Sequence, residues 1–521
     1  MLNISDNDIE QINAKGLTVE SVLQQVRTFE DGIPYVSLRN PASEGLGIVK
    51  FSTDELLALQ KVYDAHLSDL DVVKFVPASG AATRMFKEFF KFLEHYDFTK
   101  ESLNSYLNYE KAVTIRYFII GMEKLPFYKE VLEVTKAKFP KFDHLSEGEQ
   151  IYAFVKTMLK NHGGLNFGVY PKGLLPFHKY KDTIKTAFEE HLHESSNYAS
   201  VNGKAKLHFT VSKTHLEKFE QEFKRIQKGA EKETKTTFEI TYSFQKQNTD
   251  TIAVDLNNQP YRTSDGRLLF RPGGHGALID NLNTIKADVV FIKNIDNVVV
   301  QKYQDELTIY KKALAGKLIA VQGQVFSILK ALEKELPDPE ELQEISQFMT
   351  RDLNIVMPVD FHKFSDVYKR EYLLEALDRP IRVCGMVVNE GEPGGGPFWI
   401  KNDKGRLQLQ IIESPQVNIS DPIQKNIFEA ASYFNPVDLV CGMKNYKGES
   451  FDLSKFVNPK MAFISKKTVH GNTIKALELP GLWNGAMAEW ISVFVQVPLT
   501  TFNPVKTVND LLKSAHQTRM F

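Results

Sequence analysis

An α/β fold is what the sequence predicts: a mixed sheet with helices on both faces and two helical insertions. Three observations lead there. Val72-Val73-Lys74-Phe75-Val76 is a β-rich run that ends in the small-residue stretch Pro77-Ala78-Ser79-Gly80-Ala81-Ala82-Thr83-Arg84 and opens a helix at Met85-Phe86-Lys87. Strand, small-residue loop and helix in that order form the first unit of a nucleotide-binding α/β sheet. Further apolar runs of strand length recur to the end of the chain, with stretches of helical periodicity between them.

Taken in order, residues 1–70 read as an N-terminal helical segment, and residues 71–521 as the α/β domain. Thr53-Asp54-Glu55-Leu56-Leu57 has the form of a capped helix start. Residues 98–165 read as several helices with no strand pattern, the first insertion. Leu207–Val211 reads as a strand followed by a helix over Lys213–Gln227. Thr237–Phe244 and Leu268–Arg271 are strand-like, and Ala287–Ile292 is a strand that ends at Asn294-Ile295-Asp296-Asn297. Residues 300–375 are helical again, the second insertion. Ile381–Val388, Gly405–Ile412 and Val437–Met443 return to strand patterns, and Pro393-Gly394-Gly395-Gly396-Pro397 reads as a mobile loop.

Composition narrows the function classes. The chain has 521 residues, 42% hydrophobic and 25% charged, with a formal net charge of -1. No overall field draws it to nucleic acid or acidic lipid, so an anion site has to be built from a few placed residues. Lys218–Lys235 mixes its charges without interleaved aromatics, so it reads as a solvated helical face. The two cysteines, Cys384 and Cys441, are too few for a disulfide framework and read as reduced, buried thiols. The first sixteen residues lack a basic segment followed by an apolar one, and no run of about 18 apolar residues occurs. A cytoplasmic protein with small-molecule partners, no nucleic acid and no membrane is therefore expected. Its oligomeric state stays open.

Five short stretches carry the chemistry. Ser79, Gly80, Ala81, Ala82 and Thr83 let backbone N–H groups approach an anion at a helix start, with Arg84 as a fixed charge beside them. Lys172, between Pro171 and Gly173, sits on a stiff turn that can aim a compact charge at a phosphate oxygen. Gly273, Gly274 and Gly276 around His275 form a loop that can lie close to a flat or anionic ligand. Asp296 follows an apolar strand, where α/β sheets bind ligands, and is suited to hold Mg²⁺. Lys506 follows the Pro504-stiffened stretch and precedes a helix start capped at Asn509. Each stretch taken alone also fits an ordinary turn or a solvated side chain. His191-Leu192-His193 reads as surface, because positions i and i+2 of a helix do not share a face.

The order of these stretches resembles the UTP–glucose-1-phosphate uridylyltransferase and UDP-N-acetylglucosamine pyrophosphorylase superfamily. Pro77–Met85 resembles its glycine-rich phosphate loop and Leu207–His215 the strand after it. Tyr242–Gln247 is similar to its F-x-Q strand, Phe270–Gly276 to its P-x-G-H-G loop, and Asn294–Asn297 to its N-x-D-N metal segment. Gln410–Ser414 is similar to its V-E-Y-S strand, Phe434-Asn435 to F-N-x-N, and Asn458-Pro459-Lys460 to N-P-K. Val497–Leu512 resembles V-P-R-S-R-F-x-P-V-K-T-x-x-D-L-L, the most specific of the nine. The resemblance implies a glycosyltransferase-A-like, Rossmann-like fold and transfer of a nucleotidyl group from an NTP, UTP by preference, to a sugar 1-phosphate, with release of pyrophosphate. It implies catalytic roles for Arg84, Lys172 and Lys506 and a Mg²⁺ site at Asp296. Nucleotide contacts are implied at Ser79–Thr83, Gln245 (or Gln247), Gly274 and His275, and sugar contacts at Glu413 and Asn435.

Ser79 and Ala82 stand where the family loop has glycines, and the stretch from Arg84 to Lys172 is longer than in the family. These departures point to a separate bacterial branch of unknown function. A non-catalytic nucleotide or sugar-phosphate sensor is the alternative they leave. A glycosyltransferase consuming a nucleotide sugar is disfavoured, because Asn294-Ile295-Asp296-Asn297 is not an Asp-x-Asp motif.

Overall fold

Continuous apolar runs become strands buried on both faces, as expected for the middle of a parallel or mixed sheet. In the computed structural model, Val289–Lys293 is buried at every position, and it pairs in parallel with Val72–Pro77 in the register Val289↔Val72 to Ile292↔Phe75. The residues described are 4–160, 163–391, 394–402, 404–469 and 471–518. The chain divides into two compact units, each assembled from three stretches: residues 1–75, 243–292 and 310–498 in the first, and residues 76–242, 293–309 and 499–521 in the second.

The first unit carries most of the sheet. Its strands run in the order Ser43–Glu44, Gly47–Val49, Ile491–Gln496, Ile381–Val388, Asp438–Gly442, Val289–Lys293 and Val72–Pro77. Ile381–Val388 is parallel to Ile491–Gln496 and antiparallel to Asp438–Gly442, so the sheet is mixed. Ser37–Pro41, Gly396–Lys401 and Leu407–Ile412 form a separate three-stranded antiparallel sheet. A four-stranded sheet follows the order Phe270–Arg271, Thr251–Val254, Asn472–Glu478, Phe463–Val469. Helix Thr53–His66 starts on a capping box between Ser52 and Glu55. It packs on the long helix Gln304–Lys334 at Gly316, where an added Cβ would stand 1.9 Å from the Leu59 carbonyl oxygen, a distance no side chain can meet. Lys311 and Asp438 form a buried ion pair in this unit.

The second unit is mainly helical. Lys87–His95, Leu103–Tyr109, Val113–Gly121, Tyr128–Lys138 and Glu147–Leu159 enclose a core rich in phenylalanine, including Phe89, Phe92, Phe118, Phe127 and Phe154. Phe89 and Phe118 meet edge to face with centroids 4.7 Å apart. Val298, Val505, Val508 and Leu511 belong to the same core. Strand Lys204–Thr210 pairs with Ser200–Val201 and Thr237–Ser243, and helices Ala187–Tyr198 and Leu216–Thr234 accompany it.

The first 70 residues are not purely helical. Between the helices Val19–Asp31 and Thr53–His66 lie Ser37–Pro41, Ser43–Glu44 and Gly47–Val49. Leu38 and Ile48 are buried while their neighbours face outward, a period-two pattern broken by Pro41, Gly45 and Gly47 into pieces too short to read as strands. Gly396 and Pro397, expected in a loop, already pair with Ile412 and Ile411; Pro393 lies outside the described residues. Cys384 and Cys441 are free, buried thiols, and burial pushes Cys384 up to about 11, so neither is expected to react with a thiol reagent until the protein unfolds.

Candidate functional site

The small-residue loop is built on ordinary backbone. None of Ser79–Thr83 has a positive φ, so serine and alanine replace glycine there without strain. Ala82 N–H donates to the Tyr170 carbonyl (3.0 Å) and Lys172 N–H to the Gly80 carbonyl (3.1 Å), which ties the loop to Pro171-Lys172 in a short antiparallel bridge. The backbone N–H groups of Ser79, Gly80 and Ala81 have no hydrogen-bond partner among the described residues. Ser79, Gly80, Ala81, Thr83 and Arg84 are exposed, and Ala82 is buried beneath them. Consecutive unengaged N–H groups with an arginine alongside make an anion-binding concavity.

Lys172 opens a short 3-10 turn at Pro171, and its Nζ lies 2.5 Å from Asp296 Oδ2. Both side chains are largely withdrawn from solvent, at 16% and 19% exposure. Asp296 is fixed from three sides. Its carbonyl accepts from Val505 N–H (3.1 Å), Asn297 bridges to Pro504, and Asn297 Oδ1 accepts from Asn503 N–H (2.8 Å). Lys506 therefore follows a residue bonded directly to Asp296. Its ammonium lies 5.7 Å from the centroid of the Phe502 ring. Loop, Lys172, Asp296 and Lys506 are thus joined within the second unit.

Sequence reasoning missed what holds them. Helix Ala187–Tyr198 is buried along almost its whole length. His191 is fully buried, not on the surface; its Nε2 donates to the Ile295 carbonyl at 3.2 Å, pinning the residue before Asp296. A helix packed on all sides has no solvent face to assign, which is why the surface expectation fails. Among the described residues no group of three or more His, Cys, Asp and Glu side chains could hold a metal. The 3-10 turn Val508–Leu512 is capped by Thr507 and Asp510, not by Asn509, whose Nδ2 instead donates to the Thr114 carbonyl of the helical insertion (2.8 Å). Leu512 fills the space over Gly121. The insertion therefore buttresses the segment that carries Lys506.

The same unit contains a buried chain of titratable groups. His178 Nδ1 meets Glu190 Oε1 at 2.7 Å, and its Nε2 meets His516 Nδ1 at 2.9 Å. Burial, with the neighbouring His178, pushes His516 down to about 3, and burial pushes His208 down to about 4, from an ordinary 6.5. Between these values the unfolded chain binds more protons than the folded one, so stability falls as the pH drops below 6.5. The expected loss by pH 4 is at most about 3 kcal/mol for each group. Urea melts across that range would measure it, and His516→Gln should flatten the slope.

The remaining predicted residues gather in the first unit. Gln245 is half-buried, with Nε2 3.4 Å from Thr249 Oγ1; an added Cβ at Gly273 would come within 2.5 Å of the Thr249 carbonyl oxygen. Gly274 has φ +75°, a conformation that favours glycine. His275 Nδ1 accepts from Leu482 N–H (3.1 Å), so Nε2 carries the proton and faces Glu413 Oε1 at 3.6 Å. Asn484 Nδ2 donates to the same oxygen at 2.5 Å. Burial opposes the charge on Glu413, but His275 and Asn484 outweigh it and hold the carboxyl below its usual range. Asn435 is buried near the same place: its N–H donates to the Gly395 carbonyl (2.9 Å), and an added Cβ on Gly395 would lie 3.5 Å from Glu413 Cγ. Asn435 Oδ1 accepts from Val437 N–H, whose residue is held at φ +57°, while its Nδ2 has no hydrogen-bond partner among the described residues.

Trp483 and Asn484 are the functional candidates missed here. The Trp483 ring stacks on His275, with centroids 4.3 Å apart and planes 16° apart. Gly481 is required beneath them, since its Cβ would come within 2.5 Å of His275 Cε1. The stretch Gly-Leu-Trp-Asn-Gly at 481–485 was the available signal.

No curated protein matches the chain. Among solved structures, it is similar to the uridine diphosphate N-acetylglucosamine pyrophosphorylase from Trypanosoma brucei in complex with inhibitor, at 12% identity and a TM-score of 0.48, over 98% of this chain and 79% of that one. It is also similar to a UDP-glucose pyrophosphorylase mutant from Leishmania major in complex with UDP-glucose, at 12% identity and a TM-score of 0.43, over the same 98% and 79%. The match to a sequence family is nearly complete, running over residues 5–517, and the chain belongs to that family, described as Domain of unknown function (DUF4301).

Proposed function

We propose that the chain is a sugar-1-phosphate nucleotidyltransferase that joins an NTP, UTP by preference, and a sugar 1-phosphate into a nucleotide sugar and pyrophosphate. One observation carries the reading. Four segments far apart in sequence are joined: backbone hydrogen bonds tie Ser79–Arg84 to Pro171-Lys172 and Asn294–Asn297 to Asn503–Lys506, and the Lys172–Asp296 ion pair links the two pairs, so that an N–H cradle, two lysines and a carboxylate share one region. Phosphoryl transfer needs little covalent help from a protein. It needs alignment and positive charge where negative charge collects.

In this reading the N–H groups of Ser79, Gly80 and Ala81, with Arg84, hold the leaving β- and γ-phosphates. Lys172 and Lys506 neutralise the α-phosphate and the phosphate of the attacking sugar. An oxygen of the sugar 1-phosphate attacks the α-phosphorus, a new P–O bond forms, and pyrophosphate leaves with the electrons of the broken bond. Asp296 fits Mg²⁺, which takes one or two protein carboxylates and completes its shell with water and phosphate oxygens. An ammonium already sits at that carboxylate, so the position suits a cation. The ion would supply charge neutralisation for the phosphates. As the resemblance implies, Gln245, Gly274 and His275 read the base, and Glu413 and Asn435 read the sugar; the low-lying carboxyl of Glu413 makes it a hydroxyl acceptor at neutral pH.

Pyrophosphate release by the full chain with Mg²⁺, across the four NTPs and a panel of sugar 1-phosphates, tests the reading. Release that needs both substrates, and that Lys506→Ala abolishes, is expected. Binding of NTP without release from any pair would favour a sensor instead. Gly173→Ala offers a subtler check. Its Cβ would stand 2.8 Å from Ile295 Cγ1, so Ile295 and the adjoining Asp296 must shift. Overpacking of this kind costs about 1–3 kcal/mol, and turnover should fall further than the melting temperature alone explains.

A further inference from the structure

Arg379 occupies the turn between helix Asp366–Leu377 and strand Ile381–Val388. Its guanidinium donates through Nε to the Ala376 carbonyl (2.8 Å) and through Nη1 to the Glu489 carbonyl (3.3 Å), both neutral acceptors. Arg406 lies with its guanidinium carbon 5.2 Å from the centroid of the Tyr372 ring. Neither arginine, nor Lys455, makes an ion pair among the described residues, and all three line one cavity of about 660 Å³. Lys404 in the same wall is held by Glu375 at 2.7 Å. The other carboxylates of the wall are Asp378 and Glu489. Burial pushes Asp378 up, which opposes its charge. Burial also pushes Arg379 down; Glu489, Tyr372 and Glu375 oppose that shift, and Arg406 adds to it. Guanidiniums held by carbonyls and an aromatic face, with no carboxylate at ion-pair distance among the described residues, present their forked donors to an incoming planar or tetrahedral anion.

The cavity has the size of a small-molecule site. It lies at the starts of strands Leu407–Ile412 and Ile491–Gln496, which Leu407, Ile491 and Ser492 line. Glu413 follows the far end of the first of these strands, about 20 Å away at strand rise. We propose that this cavity binds a small anionic metabolite whose phosphate or carboxylate group lies between Arg379 and Arg406, at a site separate from the Glu413 cluster and from the loop at Ser79–Thr83.

Calorimetric titration of the full chain with inorganic phosphate and, separately, with citrate tests this. Saturable binding tighter than about 1 mM is expected for at least one of them. Arg406→Gln, an exposed position, should weaken it at least about tenfold, Lys455→Gln should weaken it less, and Lys172→Met should leave it unchanged. Phosphate binding alone would assign a phosphorylated ligand, and citrate binding alone a carboxylate. The proposal is overturned if neither anion binds saturably, if Arg406→Gln and Lys455→Gln leave the affinity intact, or if Lys172→Met abolishes it.

Discussion

Asp296→Ala is expected to lower pyrophosphate release by about 10²–10³-fold, the scale of losing a preorganised charge at the reacting phosphates. The fold should survive, because the turn is fixed without the Asp296 side chain: Val505 N–H donates to the Asp296 carbonyl, and the Asn297 side chain bonds Asn503 N–H and the Thr501 carbonyl. The carboxylate itself touches Lys172. That contact makes a second expectation possible. The Lys172 ammonium occupies the Asp296 carboxylate before any divalent cation arrives, so the two cations compete for it. Lys172→Met removes the competitor. It should tighten binding of Mn²⁺, followed by electron paramagnetic resonance in the absence of substrate, while lowering turnover. Asp296→Ala should abolish that Mn²⁺ binding in either background. If Lys172→Met weakens Mn²⁺ binding, the ion pair is not a competitor but a support for the carboxylate.

Much of this arrangement was legible in the sequence for one physical reason. Phosphate-binding segments advertise themselves through small residues, prolines and charges at fixed offsets, and such features survive when the surrounding chain has changed. Ser79–Arg84, Pro171-Lys172, Asn294–Asn297 and Asn503–Lys506 carry such features, and the structure brings them together; phosphate binding there is the proposed role. Strands buried on both faces were legible too; Ile381–Val388 has the bounds its apolar run predicts. A short piece such as Gly47–Val49 was not, since its place in the sheet is decided by Ile491–Gln496, hundreds of residues away. The support of the site was illegible for the same reason. Nothing local in His191 or Asn509 says that one bonds Ile295 and the other Thr114, contacts that span 104 and 395 residues. Trp483 is a related case. It gains meaning from His275, on which it stacks, and from Arg382, which donates to its carbonyl at 2.6 Å from within the sheet.

Lys293→Met is expected to cost about 3–5 kcal/mol of stability, because it breaks a buried ion pair by removing one partner. The two groups lie 2.7 Å apart at 0% and 1% exposure, and Tyr198 OH donates to the other carboxylate oxygen at 2.7 Å. Glu194→Gln should cost less, since the amide oxygen keeps a polar partner for Tyr198 and for Lys293. The double variant Lys293→Met with Glu194→Leu should recover much of the loss, since two apolar groups carry no desolvation penalty; the cycle's coupling energy separates this from simple additivity. Denaturant melts of the four proteins would measure it. The pair has a second consequence, because Lys293 is followed directly by Asn294–Asn297, and Glu194 shares its helix with His191, which bonds Ile295. Helix and turn are docked by these two contacts together. Under the proposed function, loss of the ion pair should therefore degrade turnover at temperatures where the protein is still folded, whereas Lys311→Met, which breaks the buried pair with Asp438 in the other unit, should cost similar stability and leave turnover by the folded protein largely intact. Equal losses of turnover in both variants would mean that global stability, not the docking of this helix, governs the site.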